Sequence, residues 1–387
     1  MLEGRTPLGW LQLTHSRARF TVAACGVGFA VVLVFMQLGF MNMLFDATTT
    51  LHGKFDADIF ILNKEDARQI DQSGSLSVRR LVQAMGVDGV ADGEGLYVGT
   101  VNWTKPSDGE TGNLFVMAIN PSFDAFKDPE VSAQMRKLNV PGTFLFDRGS
   151  RGDYSAFIAA IDAETYPTAE IADVTGTAVG HFSFGVSFGI EAEAIISSDT
   201  FLAMQPSRDP DVINIGLVQV EQGQDPQVVA ERINRVLAAE DAYAVTVADF
   251  KQVTRSFLRD NSPIAYIFSF GVAVGLIVGA IIVIQILSSD VQDHMGEYAT
   301  FKAIGFTNRY LLGIVYEQSA ILTVVGFVPG LGLSLLLYDV VGGAVAMAMT
   351  MPLQRVGLVF GLTALMCIGA GTIAMRRVYS ADPAEVF

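Results

Sequence analysis

The sequence predicts a membrane protein in which four transmembrane helices carry one large inserted α+β domain. Four apolar runs each reach the roughly 20 residues that a helix needs to cross a hydrocarbon core of about 30 Å. The first run lies alone near the N-terminus and the other three follow one another near the C-terminus, which gives a one-plus-three arrangement. The runs span residues 20–45, 264–287, 310–337 and 356–375.

These runs divide the chain into nine predicted segments. The first run is longer than the about 7–15 apolar residues of a signal peptide, and no small-residue cleavage pattern follows it, so it is interpreted as a retained anchor. In chain order the segments are an N-terminal amphipathic helix at 1–19, span one at 20–45, the inserted domain with its stalks at 46–261, span two at 262–288, a loop at 289–309, span three at 310–338, a short loop at 339–355, span four at 356–375 and a tail at 376–387.

The net charge of −15 belongs to the inserted segment. Residues 46–260 hold 17 Lys or Arg and 32 Asp or Glu, whereas the rest of the chain holds eight of each. This acidity argues against nucleic acid, whose binding depends on basic residues that neutralise phosphates. We interpret it as a contribution to solubility, with a basic partner as the alternative.

Charge near the spans predicts the orientation, because short cytoplasmic flanks are rich in Lys and Arg. Basic residues precede span one, follow span four and occur in the loop between spans two and three, and the loop at 339–355 has almost no charge. They are Arg5, Arg17, Arg19, Lys302, Arg309, Arg376 and Arg377. Both termini are therefore predicted to be cytoplasmic, and the acidic domain extracytoplasmic.

The sequence contains no recognisable catalytic, metal-binding or cofactor-binding motif. The two cysteines, Cys25 and Cys367, both lie in predicted spans, so the inserted domain is predicted to have no internal disulfide. The four histidines are isolated from one another, and neither a phosphate-binding P-loop nor a hydrolase motif occurs. We therefore expect no cofactor and no catalysis by this chain.

The inserted domain alternates strand-like and helix-like patterns. Strands are predicted at residues 58–62, 96–103, 113–119, 192–196, 212–220 and 243–247, and helices at 77–85 and 226–239. For the second helix, Asp225 is the predicted N-cap, and one apolar face is expected. That face comprises Val228, Val229, Ile233, Val236 and Leu237.

Three further segments of the domain have predicted roles. Residues 174–190, rich in Gly, Phe, Ser and Val, predict tightly turning strands of a small barrel-like subdomain. Residues 42–54 and 247–261 are predicted to extend spans one and two as helical stalks.

The loop between spans two and three predicts a short helix that ends at Gly305, a typical C′ residue. This helix would present Glu297, Phe301, Lys302 and Ile304 beside the membrane. It could dock into a groove of another protein or lie at the membrane interface, and the pattern alone leaves both open.

Polar and small residues inside the spans are few. Glu317 is the one ionisable side chain, for which we consider either a structural role or a role in proton transfer or coupling, and Gln318, Gln285 and Gln37 are uncharged. In span two, Gly271, Gly275 and Gly279 form a row of small residues that suits either a dimer seam or packing inside the bundle. In span three, a bend or break is expected near residues 326–332. So little polarity favours transmission of force over conduction.

The sequence also resembles a known family along its whole length. The run EYATFKAIGF at residues 297–306 is similar to the E-x-A-T-L-K-A-I-G loop of FtsX/MacB-type ABC transporter permeases, with Phe301 in place of the usual Leu, and DPAEVF at 382–387 is similar to their ending. The runs PLGWLQLT at 7–14, FMQLGF at 35–40 and DIFI at 58–61 resemble the DevC-like subfamily. Residues 294–296 depart from the Arg-rich lead-in of that family's loop.

The resemblance implies a permease homodimer in the inner membrane, with a separate ABC ATPase that binds the ATP. It implies a MacB-like periplasmic domain that engages an adaptor and an outer-membrane channel, and export of a lipid, a glycolipid or another hydrophobic substrate. It also implies that the ATPase acts on one set of residues, with help from the N-terminal helix at 7–17. That set is Glu297, Thr300, Phe301, Lys302, Ala303, Ile304, Gly305 and Phe306.

Two other functions stay open on the sequence alone. One is an FtsX-like regulator whose external domain activates a cell-wall hydrolase. The other is a membrane-tethered enzyme with its active site in the inserted domain. The size of that domain favours export over the first, and the lack of a catalytic motif disfavours the second.

Overall fold

The computed structural model describes residues 8–64, 70, 74–185, 190–345 and 349–375, apart from the side chains of 344 and 345. The chain divides into two compact units. The helical unit comprises Met1–Met43 and Ser262–Phe387, and the inserted unit comprises Leu44–Asn261.

The described residues form twelve α-helices and eleven strands. The helices are α1 Leu8–His15, α2 Arg17–Thr50, α3 Val78–Met85, α4 Pro129–Gln134, α5 Ser155–Asp162, α6 Ser198–Met204, α7 Pro226–Val236, α8 Val247–Asn261, α9 Pro263–Asp293, α10 Met295–Ala303, α11 Asn308–Val345 and α12 Leu353–Ala374. The strands are β1 Ile59–Asn63, β2 Leu76–Ser77, β3 Val90–Thr104, β4 Thr111–Ile119, β5 Thr143–Asp147, β6 Thr168–Ile171, β7 Val174–Phe182, β8 Ala192–Ser197, β9 Val212–Ile213, β10 Ile215–Val220 and β11 Ala242–Thr246.

Nine strands of the inserted unit form one mixed sheet in the order β11-β1-β10-β3-β4-β8-β5-β7-β6. The β4–β8 and β5–β7 pairs are parallel and the other neighbouring pairs are antiparallel. A further pairing of Trp103 with Ile171 joins β6 back to β3, so that six strands form a closed ring. Strand β7 is one member of this ring, so the predicted strand within residues 174–190 is confirmed and lies in a closed, barrel-like arrangement that belongs to the large sheet. Residues 186–189 of that segment lie outside the described residues.

Both faces of the sheet are covered by apolar cores, as strand β4 shows. Leu114, Val116 and Ala118 belong to one core. Phe115, Met117 and Ile119 belong to the other. Side chains of a strand point alternately to opposite faces, so a fully buried run requires packing on both sides. The inserted unit contains no cysteine, so no disulfide stabilises these two cores.

Most predicted elements of the inserted unit are confirmed within a few residues, and two details differ. The predicted strand at 212–220 is two strands, because Asn214 interrupts it and its side-chain oxygen accepts a hydrogen bond from the Val98 amide at 3.0 Å. Asp225 does cap α7, with its carboxylate accepting from the Gln227 amide. The face of α7 is narrower than predicted, since Val228 and Val236 are exposed.

The predicted stalks have different structures. Helix α2 continues without interruption to Thr50 and is followed by a 3-10 turn at Leu51–Gly53. Helices α8 and α9 are separate, because Ser262 between them is extended and its hydroxyl caps α9 by accepting from the Ile264 amide. The second stalk is therefore not a helical extension of span two.

The helices of the helical unit are longer than the predicted spans. Helix α9 ends at Asp293 rather than at residue 288, and α12 begins at Leu353, so the connection from α11 is shorter than the predicted loop at 339–355. Helix α11 passes through Pro329 without ending, so the helix does not break there, and the alternative of a bend stays a prediction. The tail at 376–387 lies outside the described residues.

Candidate functional site

Helix α10 ends in a complete Schellman motif, as Gly305 led us to expect. Gly305 has a φ of +103°, in the left-handed region that favours glycine, and its amide donates to the Lys302 carbonyl at 3.0 Å. The Phe306 amide donates to the Phe301 carbonyl at 2.9 Å, and the two phenyl rings pack with centroids 5.6 Å apart. These contacts fix the direction in which the chain leaves the helix.

The residues predicted to meet an ATPase lie on α10 and on the turn after it. Ile304 is 71% exposed and Phe306 is 41% exposed. Glu297, Thr300, Ala303 and Gly305 are also exposed, and Phe301 and Lys302 are half-buried. The opposite face, with Tyr298 and Ala299, is buried in the helical unit.

A polar cluster, buried except for the exposed Glu297, connects this buried face to three other helices. We name it the α10 junction, and it consists of Gln12 of α1, Asp290 of α9, Glu297 and Tyr298 of α10, and Gln318 of α11. The side chain of Gln12 donates to the Glu297 carboxylate at 3.1 Å and accepts from the Tyr298 hydroxyl at 3.3 Å. Gln12 of α1 thus contacts Glu297 of α10, which is 285 positions away in the sequence.

Gln318 supplies the donors at the centre of the junction. Its amide nitrogen lies 3.2 Å from the Gln12 side-chain oxygen and 2.7 Å from the Asp290 carboxylate, and it can donate one hydrogen to each. Gln318 is fully buried, and its own oxygen has no hydrogen-bond partner among the described residues. A buried carboxylate is costly unless it is hydrogen-bonded, so Asp290 depends on this donor.

Electrostatics keep the Tyr298 hydroxyl in the donor role. Burial raises the pKa of Tyr298 above its usual value, and the nearby carboxylates of Asp290 and Glu297 raise it further. The phenol therefore stays protonated at physiological pH. Beside the junction, Arg19 of α2 pairs with Asp293 of α9.

The sequence pointed to Gln318 and Glu297 but not to Gln12, Asp290 or Tyr298. Asp290 was assigned to a loop, yet it lies in the last turn of α9 and is buried. Glu317, the ionisable residue that the sequence singled out, is half-buried where α1 packs on α11 and belongs to no hydrogen bond of the junction. The sequence of α1 did not predict the role of Gln12, because α1 is short and neighbouring residues do not specify which helices it packs against.

A second buried polar contact lies at the other end of the helical unit. Arg355, which the sequence placed in a loop, lies in the first turn of α12 and is 9% exposed. It donates to the Thr350 carbonyl at 2.7 Å and lies 3.4 Å from the Tyr338 hydroxyl, which in turn donates to the Phe35 carbonyl at 2.5 Å. This contact connects α2, α11 and α12.

The glycine row of α9 packs inside the chain. A Cβ on Gly271 would meet the end of the Gln37 side chain of α2, and one on Gly275 would lie 3.4 Å from Leu33. A Cβ on Gly279 would lie 2.6 Å from both Ala30 of α2 and Met366 of α12. The row therefore lets α9 approach its neighbours closely.

These features define a class of protein. Four helices of the described residues are long and apolar enough to cross a membrane. They are Arg17–Gly53, Pro263–Asp293, Asn308–Gly343 and Leu353–Ala374. In the described ranges, no group of three or more His, Cys, Asp or Glu side chains could hold a metal ion. The chain is a membrane protein, and a large α/β unit lies in its sequence between the first two of these apolar helices.

Comparison with known families identifies the C-terminal part more closely. Residues 269–383, which include α10, α11 and α12, match the family described as FtsX-like permease C-terminal. This match covers less than a third of the chain. Among curated proteins, no sequence matches the chain significantly.

Solved structures show a weak likeness to about half of the chain. The extracellular domain of the ABC-type transporter YknZ from Gram-positive bacteria is 12% identical, with a TM-score of 0.32, over 49% of this chain and 98% of that chain. The periplasmic region of MacB from Actinobacillus actinomycetemcomitans is 12% identical, with a TM-score of 0.34, over 52% of this chain and 94% of that chain. At such low scores the likeness does not define a function.

Proposed function

We propose that this chain is the membrane subunit of an ABC-type transporter and that a separate ATPase binds at α10. The match of residues 269–383 to the FtsX-like permease C-terminal family supports the class. In this proposal both termini and α10 are cytoplasmic, the acidic unit is extracytoplasmic, and the permease acts as a dimer. Export of a hydrophobic substrate through an adaptor and an outer-membrane channel completes the proposal.

One observation carries the role of α10. The helix exposes large apolar side chains at its C-terminal end, while its opposite face is bonded to three other helices through the α10 junction. An exposed apolar residue beside a rigid turn suits a groove on another protein. A push on Ile304 would therefore reach α1, α9 and α11 through Tyr298 and Glu297.

The proposal predicts that Ile304→Asp uncouples the ATPase. A charge in an apolar docking contact should cost about 2 kcal/mol, which is about thirtyfold in affinity. The measurement is stimulation of a co-expressed ABC ATPase by the full chain in reconstituted vesicles, with copurification as a second readout. We expect both to be lost.

The matched control places the same charge on the other unit. Val82 of α3 is 60% exposed, so Val82→Asp should insert and stimulate the ATPase like the unchanged chain. If Ile304→Asp still stimulates and retains the ATPase, α10 is not the docking helix.

A further inference from the structure

An apolar groove runs along the helical unit between α2 and α11. It has a volume of about 490 Å³ and is lined almost entirely by apolar side chains. Its rims are Phe29 and Leu333, which are 54% and 51% exposed. At its floor the two helices touch, since a Cβ on Gly330 would lie 3.0 Å from the Gly28 carbonyl oxygen. The groove is thus a recess made by small residues between two membrane-spanning helices.

Along α2 the groove has about the length of one lipid leaflet, and along α11 its lining runs from Val325 to Leu333, about 12 Å. On α2 its lining extends from Phe20 to Val32. At 1.5 Å per residue this is about 18 Å, close to half of a hydrocarbon core of about 30 Å. The groove begins beside the N-terminal end of α2, where Arg17 and Arg19 predict that the helix leaves the hydrocarbon. Its shape therefore fits an acyl chain whose headgroup lies at that end.

A cation lies on the same face of α2 at that end. Arg17 precedes Thr21 by four residues and Gly28 by eleven, a spacing that puts all three on one side of a helix. The side chain is exposed, and within the described part of the chain no acidic side chain pairs with it. Its neighbour Arg19 is already paired with Asp293. Arg17 is therefore available to an anion at the end of the groove.

The shape of the groove favours a lipid chain over a protein helix. A docking helix would insert only its side chains into the groove, because helices pack with ridges of side chains in grooves. A lipid chain can occupy the groove along its length and bring its phosphate to the cation beside it. An acyl chain is thin enough to enter, and guanidinium groups bind phosphate with two parallel hydrogen bonds.

We propose that this groove binds an acyl chain of an anionic phospholipid whose phosphate pairs with Arg17. The binding needs only that the helices lie in a membrane and does not depend on an ATPase. It would place a lipid against α2 and α11, the two helices that meet at Gly28 and Gly330.

The test measures lipid binding to the full chain in mild detergent by native mass spectrometry. The probes are phosphatidylglycerol and phosphatidylcholine with identical acyl chains. We expect the unchanged chain to bind phosphatidylglycerol about fivefold more tightly, because one basic residue contributes about that factor. Arg17→Gln should abolish this preference and Arg17→Lys should keep most of it.

A second pair of variants tests the groove itself. Cys25 is exposed and lines the groove, so Cys25→Phe should fill it and weaken binding of both lipids about fivefold or more. Val22 is on the same helix, 60% exposed and outside the lining, so Val22→Phe should bind like the unchanged chain.

Two results would overturn the proposal. One is a preference for phosphatidylglycerol that survives Arg17→Gln. The other is equal lipid binding by Cys25→Phe and Val22→Phe; if Cys25→Phe then also alters the oligomeric state, the groove seats a second copy instead.

Discussion

Gln318 is the side chain on which the α10 junction depends most. Its amide group is the donor for both Gln12 and Asp290, and all three side chains are buried. A buried acceptor that loses its donor keeps the full cost of leaving water, which is larger than the value of the hydrogen bond itself. The sequence marked Gln318 only as a polar residue in a span.

We expect Gln318→Leu to destabilise the chain by about 2 kcal/mol, because the buried Asp290 carboxylate loses its amide donor and Gln12 loses one of its two donors. The measurement is the melting temperature of the full chain in detergent. Gln285→Leu is the matched control, since Gln285 also lies in a span but is exposed. Equal melting temperatures for the two variants would mean that the junction does not stabilise the fold.

At the scale of elements, α9 is positioned by a row of glycines whose members are not equivalent. Gly279 faces Ala30 and Met366 at a distance that no added carbon tolerates, whereas Gly275 has room for one. The sequence showed the row but not its neighbours, because spacing says which face is small and not what lies opposite.

The two glycines should therefore respond differently to the same change. Gly279→Ala should destabilise by about 1–3 kcal/mol through overpacking. Gly275→Ala should be neutral or stabilising, since its Cβ makes an ordinary contact and Ala is the better helix former by about 1 kcal/mol. The measurement is the melting temperature of each variant in detergent, compared with that of the unchanged chain.

The alternative for this row, a seam between two copies, predicts a different result. Gly279→Ala and Gly275→Ala would then both weaken the dimer. Size-exclusion chromatography with light scattering on the same samples would detect it.

At the scale of the whole molecule, charge and hydropathy divide the chain in the same way. The net negative charge belongs to the inserted unit, and the apolar helices belong mainly to the helical unit. The basic flanks then predict the side of the membrane on which each unit lies.

The orientation is testable with one added cysteine at a time in a chain whose exposed Cys25 is changed to Ser and whose other cysteine, Cys367, is buried. Ser107 is exposed in the turn between β3 and β4, so Ser107→Cys should react with an impermeant thiol reagent in intact spheroplasts. Thr307→Cys, exposed between α10 and α11, should react only after permeabilisation. The reverse pattern would invert the proposed orientation.

Local signals account for the predictions that succeeded. The Asp225 cap, the Gly305 helix end and strands such as β4 each follow from a few neighbouring residues. The division of the strand at 212–220 was missed because it depends on a hydrogen bond between Asn214 and Val98, more than a hundred positions away.

By itself, the sequence determined the four apolar helices, the acidic inserted unit and the end of α10, because length, charge and backbone conformation are properties of adjacent residues. Only the tertiary structure decided what those helices touch. The α10 junction, the partners of the glycine row and the groove between α2 and α11 each join residues far apart in the chain. Such contacts depend on how whole helices pack, and no local pattern specifies that packing.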